Sequence, residues 1–139
     1  MAHSLHRACR GFTLVEAMAV FSIVAIAAGV ALPAYRSQLL HARRADAVNA
    51  LQQLQQAQEQ HRQDQGHYAA DLGTLHRAER SREGLYTLTL AEVAADRYTA
   101  VARPSAGSPQ QSDTDCAVLT LQVQRGFATT GPEPRCWNP

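Results

Sequence analysis

Between Ala17 and Ala34 the chain carries no formally charged residue, and almost every position is apolar. Counted from Phe12 to Tyr35, the run is 24 residues long. A helix of that length crosses a hydrocarbon core of roughly 30 Å. The hydrophobic fraction of the whole chain, 45%, is ordinary. Its segregation is not: after the run the chain turns polar and Gln-rich, and the mean hydropathy comes out at −0.28. With 139 residues in all, this leaves room for one modest domain carrying an apolar appendage, not for two independent cores.

The polar leader before the run, residues 1–11, holds Arg7 and Arg10. By the positive-inside tendency, these put the N-terminus in the cytoplasm and everything after the run outside. A cleavable secretory signal, with small residues around Ala25–Ala34 as the cut site, is the alternative. Glu16 argues against it. A carboxylate inside the first turns of an apolar run weakens a plain hydrophobic signal and demands its own explanation.

Three cysteines occur. Cys116 and Cys136 form an even pair in the C-terminal part, which reads as one disulfide if that part faces an oxidising compartment. Cys9 then stays on the reducing side, and no apolar stretch precedes it to suggest lipidation. Charge says little about partners. The net charge is +1, and every one of the 13 basic residues is Arg. Removing Met1–Gly11 takes Arg7 and Arg10 with it and lowers the sum to −1. Nothing in that balance demands nucleic acid.

Residues 36–65 contain no Gly or Pro and are rich in Ala, Leu, Gln, Glu and Arg, all helix formers. Leu40, Ala47, Val48, Leu51, Leu54 and Ala57 recur at three- and four-residue spacings, so one face is apolar. Gly66 stops the pattern. Joined to the apolar run, this predicts a single helix of about 53 residues, or about 80 Å. Pro33 removes a backbone hydrogen bond and is expected to bend or loosen it near Gly29–Pro33. Beyond Gly66 lie a connecting loop, a charged and solvated stretch (Arg77–Arg82) and three strand candidates. These are Leu85–Leu90, Arg97–Ala102 and Ala117–Val123, with a Pro/Ser/Gly/Asp loop before the third. The predicted fold class is α+β: a long N-terminal helix packed on a small antiparallel sheet, whose apolar face needs the helix stripe as its cover.

The segment Gly11-Phe12-Thr13-Leu14-Val15-Glu16, after a short basic leader and before an apolar helix, resembles the type IV prepilin signature. Pro33 falls at the end of the membrane segment, as in many pilins. Cys116, Gly126, Cys136 and Trp137 occupy places similar to those in the C-terminal half of minor type IV pilins, while residues 66–96 match loosely. The resemblance implies a pilin fold with a C-terminal disulfide loop. It implies cleavage by a prepilin peptidase between Gly11 and Phe12, with methylation of the new Phe12 amino group. The implied parts are leader 1–11, transmembrane and polymerisation segment 12–35, amphipathic periplasmic helix 36–65 and β head 66–139. The implied partners are other pilins, the prepilin peptidase and an assembly platform in the inner membrane. The subunit is expected in the inner membrane with its head in the periplasm, then in an extracellular pilus.

Glu16 has a physical reason independent of the resemblance. Buried in a stack of such helices, its carboxylate needs a cation, and a neighbour's free Phe12 amino group is the natural one. The apolar helices would supply adhesion and the ion pair would supply register. A Glu that simply reaches to water at the membrane surface is the plainer alternative. The six histidines have no convergent metal spacing, and no nucleophile elbow, phosphate loop or carboxylate pair appears, so neither a metal, a cofactor nor an enzymatic activity is expected. Arg77, Arg80, Arg82, Arg97, Arg103, Arg125 and Arg135 could form a DNA-binding patch on the head. Interleaved acids (Glu79, Glu83, Asp96, Asp113, Asp115) make a mixed solvated surface the simpler expectation. Three rivals to this reading are a type II secretion pseudopilin, whose heads often hold calcium and for which Asp113 and Asp115 are conceivable ligands, a DNA-uptake receptor serving natural transformation through such a patch, and a signal-anchored periplasmic protein that never polymerises.

Overall fold

A computed structural model describes residues 13–138. One helix, α1 (Leu14–Gln65), runs for 52 residues with Pro33 inside it. The chain separates into two compact units, one up to Arg36 and one from Ser37.

In the N-terminal unit the large apolar side chains of α1 are uncovered among the described residues. Leu14, Val15, Met18, Phe21, Ile23, Val24, Ile26, Val30 and Leu32 are all exposed, which is the signature of a helix meant for an apolar solvent or for other helices. This part is long and apolar enough to cross a membrane.

In the second unit α1 continues to Gln65, where Gly66 closes it. Gly66 sits at φ +80°, and its N–H bonds to the Arg62 carbonyl at 2.8 Å. This is the left-handed position that favours glycine at a helix end. A four-stranded antiparallel sheet follows in simple meander order. Its strands are β1 (Tyr86–Ala94), β2 (Arg97–Pro104), β3 (Leu119–Gln124) and β4 (Phe127–Gly131). Along β1, β2 and β3 the alternation of side chains sends Tyr86, Leu88, Tyr98, Ala100, Ala102, Leu119, Leu121 and Val123 into the core. There they join Ala47, Val48, Leu51 and Leu54 of α1. Tyr68, Ala69, Leu72 and Leu75 from the connecting segment complete the cluster. At about 1.5–3 kcal/mol per fully buried large apolar side chain, this cluster is the main driving force of the head.

The predicted helix and its stripe agree with the structure: Ala47, Val48, Leu51 and Leu54 are buried and Ala57 packs beside them. The stripe also contains two polar residues, Asp46 and Gln58, both buried and both bonded. Gln58 accepts from the Ala69 N–H (2.8 Å) and donates to the Ala69 carbonyl (2.9 Å), pinning the connecting segment to the helix. Asp46 accepts from Ser81 Oγ and from the Glu83 N–H at 3.0 Å. The stretch Arg77–Arg82, expected to be solvated, is exposed except at Ser81, which anchors it to the helix, and Arg80 forms a β-bridge to Thr87.

The three predicted strands are present with shifted ends, and there is a fourth. β4 escaped the sequence reading for two reasons. Phe127–Thr130 are all exposed, so the strand shows no apolar alternation. The two-residue turn that makes it, Arg125–Gly126, has φ +49° and +82°, which is a primed hairpin turn with Arg where Asn or Asp is usual.

Candidate functional site

Gly11 and Phe12, the expected cleavage and methylation positions, lie outside the described residues. Glu16, third residue of α1, is exposed. Thr13 stands just before the helix: its hydroxyl accepts from the Glu16 N–H at 3.3 Å, and its carbonyl accepts from Ala17 N–H at 3.1 Å. Thr13 therefore caps the helix. Thr-Leu-Val-Glu has the spacing of a capping box, a signal present in the sequence that the reading above did not use. An acid in the first turn also suits the positive end of the helix dipole. Capping accounts for the start of the helix here. It leaves the carboxylate of Glu16 turned to the surroundings, with exposed Leu14, Val15 and Met18 beside it.

Gly29 and Pro33 both lie within continuous helix, and nothing within 4 Å would meet a Cβ at Gly29.

Cys116 and Cys136 form the expected disulfide, with Cα atoms 5.5 Å apart. With the two cysteines 20 positions apart, closing the loop contributes roughly 3 kcal/mol in the chain-entropy picture. Both cysteines are buried, and the indole N–H of Trp137 donates to the Gly131 carbonyl at 2.8 Å, folding the tail back toward β4.

The polar loop between β2 and β3 is tied to α1. Arg44 makes two bonds to Asp113, Nε to Oδ2 at 2.7 Å and Nη2 to Oδ1 at 2.8 Å. Asp113, considered above as a calcium ligand, is thus the acceptor in a fork-to-carboxylate ion pair. Both side chains are largely buried, and the hydrogen bonds to Asp113 hold the Arg44 guanidinium more firmly protonated than usual. Gln110 donates to the Leu40 carbonyl (3.2 Å) and to the Tyr86 hydroxyl (2.8 Å), in the same corner.

Of the seven head arginines singled out above, three come together. Arg77, Arg80 and Arg82 line a groove of about 350 Å³ with Asn49 and Gln53 of α1 on its other wall. All three are exposed, and none of them is ion-paired among the described residues. Arg97 and Arg103 instead lie on the outer sheet face, opposite Gln124 and Thr87. Arg125 sits in the β3–β4 turn, and Arg135 pairs with Glu133 at 2.7 Å. Asp46 and Glu83 line the same groove, so its three arginines are set beside two carboxylates, Asp46 being held by the Ser81 hydroxyl and the Glu83 N–H.

A long N-terminal helix packed on a four-stranded antiparallel sheet, with a disulfide in the C-terminal region, is the pilin fold. Residues 33–120, more than half of the chain, match the family described as type IV minor pilin ComP, DNA uptake sequence receptor. Residues 6–32 match the prokaryotic N-terminal methylation motif. The chain belongs to the ComP family of type IV minor pilins. Membership implies a structural protein that assembles with other pilins, and the apolar helix suits one anchored in a membrane. No curated protein matches the chain. The ComP match stops at Thr120, so β4, Cys136 and Trp137 lie beyond it.

Proposed function

We propose that this chain is a minor subunit of a type IV pilus, processed between Gly11 and Phe12, methylated at Phe12, and inserted into a filament or its initiating complex by an inner-membrane platform. The parts would divide as leader 1–11, membrane and polymerisation segment 12–35, amphipathic helix 36–65 and head 66–139. The head would face the periplasm before export. The observation that carries the reading is Glu16, exposed in the first turn of a helix whose flanking side chains are apolar and equally exposed. At the centre of a membrane helix a carboxylate costs about 3 kcal/mol on insertion scales, an upper bound for Glu16 in the first turn. The free amino group of Phe12 on an adjoining subunit would neutralise it and set the axial offset between subunits.

Replacing Glu16 by Val tests this. The expected outcome is normal accumulation in the membrane with at least tenfold less subunit in sheared filaments, as expected when one member of a desolvated charge pair is removed. Incorporation at the original level refutes the pairing. Mass spectrometry of the native N-terminus checks the processing: methyl-Phe12 is expected, and an intact Met1 excludes it. The Cys116–Cys136 bridge favours a pilus subunit over a secretion pseudopilin, many of which lack one.

A second reading is favoured by the family description and by the arginine groove: the head takes part in DNA uptake by binding double-stranded DNA. Phosphate contacts make affinity fall with salt, by about 0.9 in log–log slope for each phosphate neutralised. Removing Arg77, Arg80 or Arg82 should each reduce that slope by about 1. Absence of binding at low salt removes this reading and leaves the assembly role standing.

A further inference from the structure

The two edges of the sheet are built differently. The edge of β1 is guarded. Arg80 bridges to Thr87, and the Leu88 N–H bonds to the Glu79 carbonyl at 2.7 Å. Its far end is interrupted by a register shift between Ala91 and Ala94, with Glu92 in the left-handed region at φ +50°. Cover, irregularity and charge are the devices that stop a strand from recruiting another. β4 has no bridge, register shift or charge of this kind among the described residues, and the Trp137 indole meets it at Gly131, its last residue. Its five residues carry no charge and no proline, they pair with β3 in unbroken register, and Phe127 is 81% exposed.

The hairpin register identifies which backbone groups of β4 are free. A two-residue turn makes Gln124 and Phe127 the hydrogen-bonded pair that closes it. By alternation, Phe127, Thr129 and Gly131 bond inward to β3, while the N–H and C=O of Ala128 and Thr130 point outward. A second β4, antiparallel and centred on Thr129, answers these groups: Ala128 meets the other copy's Thr130, and the reverse, for four backbone hydrogen bonds. The same operation sets each Phe127 across from the other copy's Gly131, a ring over a residue with no side chain to compete for the space. At the strand ends it carries Arg125 of each copy toward Glu133 of the other, where Arg125 would share that carboxylate with Arg135, the exposed partner Glu133 has in its own chain.

We propose that β4 is a homotypic docking edge, pairing two copies of this chain antiparallel about Thr129. The two-fold axis is normal to the sheet, so it reverses every direction in the sheet plane, including that of the α1 segment 37–65 lying on it. A polymer whose subunits all point one way cannot contain such a pair. On the filament reading above, on which this consequence alone rests, the contact joins subunits of two separate filaments running in opposite directions. Two five-residue strands bury far less than the roughly 1,200 Å² of a stable interface, so isolated copies pair weakly and gain strength only when several contacts act together.

The test uses the full chain in detergent micelles, in a Cys9→Ser background, with Thr129→Cys. Directly opposed residues of a non-hydrogen-bonded pair have Cα atoms about 4.5 Å apart, within disulfide range. Mild oxidation should give a dimer whose peptides are linked Cys-to-Cys at position 129, whereas Thr89→Cys on the outer face of β1 should stay at background. Adding Arg125→Glu or Glu133→Arg to Thr129→Cys should each lower the yield about tenfold by opposing like charges. Mixing those two variants should restore it, because every flanking pair is then opposite in sign. An equal yield at Thr89→Cys, or a mixture no better than either variant alone, overturns the proposal. The readout is on dispersed subunits and does not depend on Glu16, so failure of the filament reading would leave it unchanged.

Discussion

The two stretches of α1 on either side of Arg36 have the same backbone conformation and opposite relations to protein. Up to Leu32 the helix exposes its large apolar side chains on every side. From Asp46 to Gln58 it buries only one stripe and leaves Asn49, Gln52, Gln53 and Gln56 to water. A helix that is apolar all round must find its solvent outside the chain, whereas an amphipathic one finds it in its own sheet. Stability of the head and assembly through the N-terminal segment should therefore be separable, and substitutions can break or sharpen that separation.

The largest effect is expected in the core. Leu51, fully buried among α1, β1, β2 and β3, should cost about 3 kcal/mol or more as Leu51→Ala, read from denaturant unfolding of the full chain in detergent. Reducing Cys116–Cys136 should cost roughly 3 kcal/mol in the same assay. Asp113→Ala leaves the Arg44 guanidinium buried without its acceptor and should cost about 2–3 kcal/mol, less than a wholly buried pair because Arg44 keeps some access to water. The double change to Arg44→Met and Asp113→Leu should recover most of that loss, since the desolvation penalty goes with the charges.

A smaller effect has the opposite sign. Tyr98 is 1% exposed, and its hydroxyl has no hydrogen-bond partner among the described residues. Tyr98→Phe should be neutral or stabilise the head by up to about 1 kcal/mol. The same residue carries a pH dependence. Burial pushes the Tyr98 phenol, and to a lesser degree those of Tyr86 and Tyr68, above the ordinary tyrosine value. A folded-state pKa raised in this way means full stability below the unfolded pKa of about 10 and progressive loss above it. The loss on going from pH 9 to 11 should be visibly shallower in Tyr98→Phe. The smallest effect is the sharpest contrast. Glu16→Val, expected to lower incorporation into filaments at least tenfold, should leave the unfolding midpoint of the head unchanged. A shift as large as that of Leu51→Ala would mean that the two units are not independent.

What could be read before the structure follows from how local each signal is. The helix stripe repeats with the period of the helix, so Ala47, Val48, Leu51 and Leu54 identify their own face. The pairing of Cys116 with Cys136 needed only an even count in one compartment. The strand β4 was not legible. A half-buried strand announces itself by alternation, but an exposed edge strand has no buried face to alternate. Asp46 and Gln58 were likewise opaque. Polar residues in an apolar stripe look like errors until Ser81, Glu83 and Ala69, which satisfy them, are brought alongside.

By itself, then, the chain's order of residues determined the segregation of apolar and polar helix, the acid at the head of the membrane run, and the cysteines available to close the tail. These depend on composition over short windows and on periods that a single helix or strand carries within itself. Only the tertiary structure decided which arginines share a groove, that Asp113 is Arg44's partner, and that one sheet edge is guarded while the other is open. Arg44 and Asp113 stand 69 positions apart, and the groove sets Arg77–Arg82 against Asn49 and Gln53 of α1; no local period encodes such a meeting, which arises when burying one common core brings distant segments to the same place.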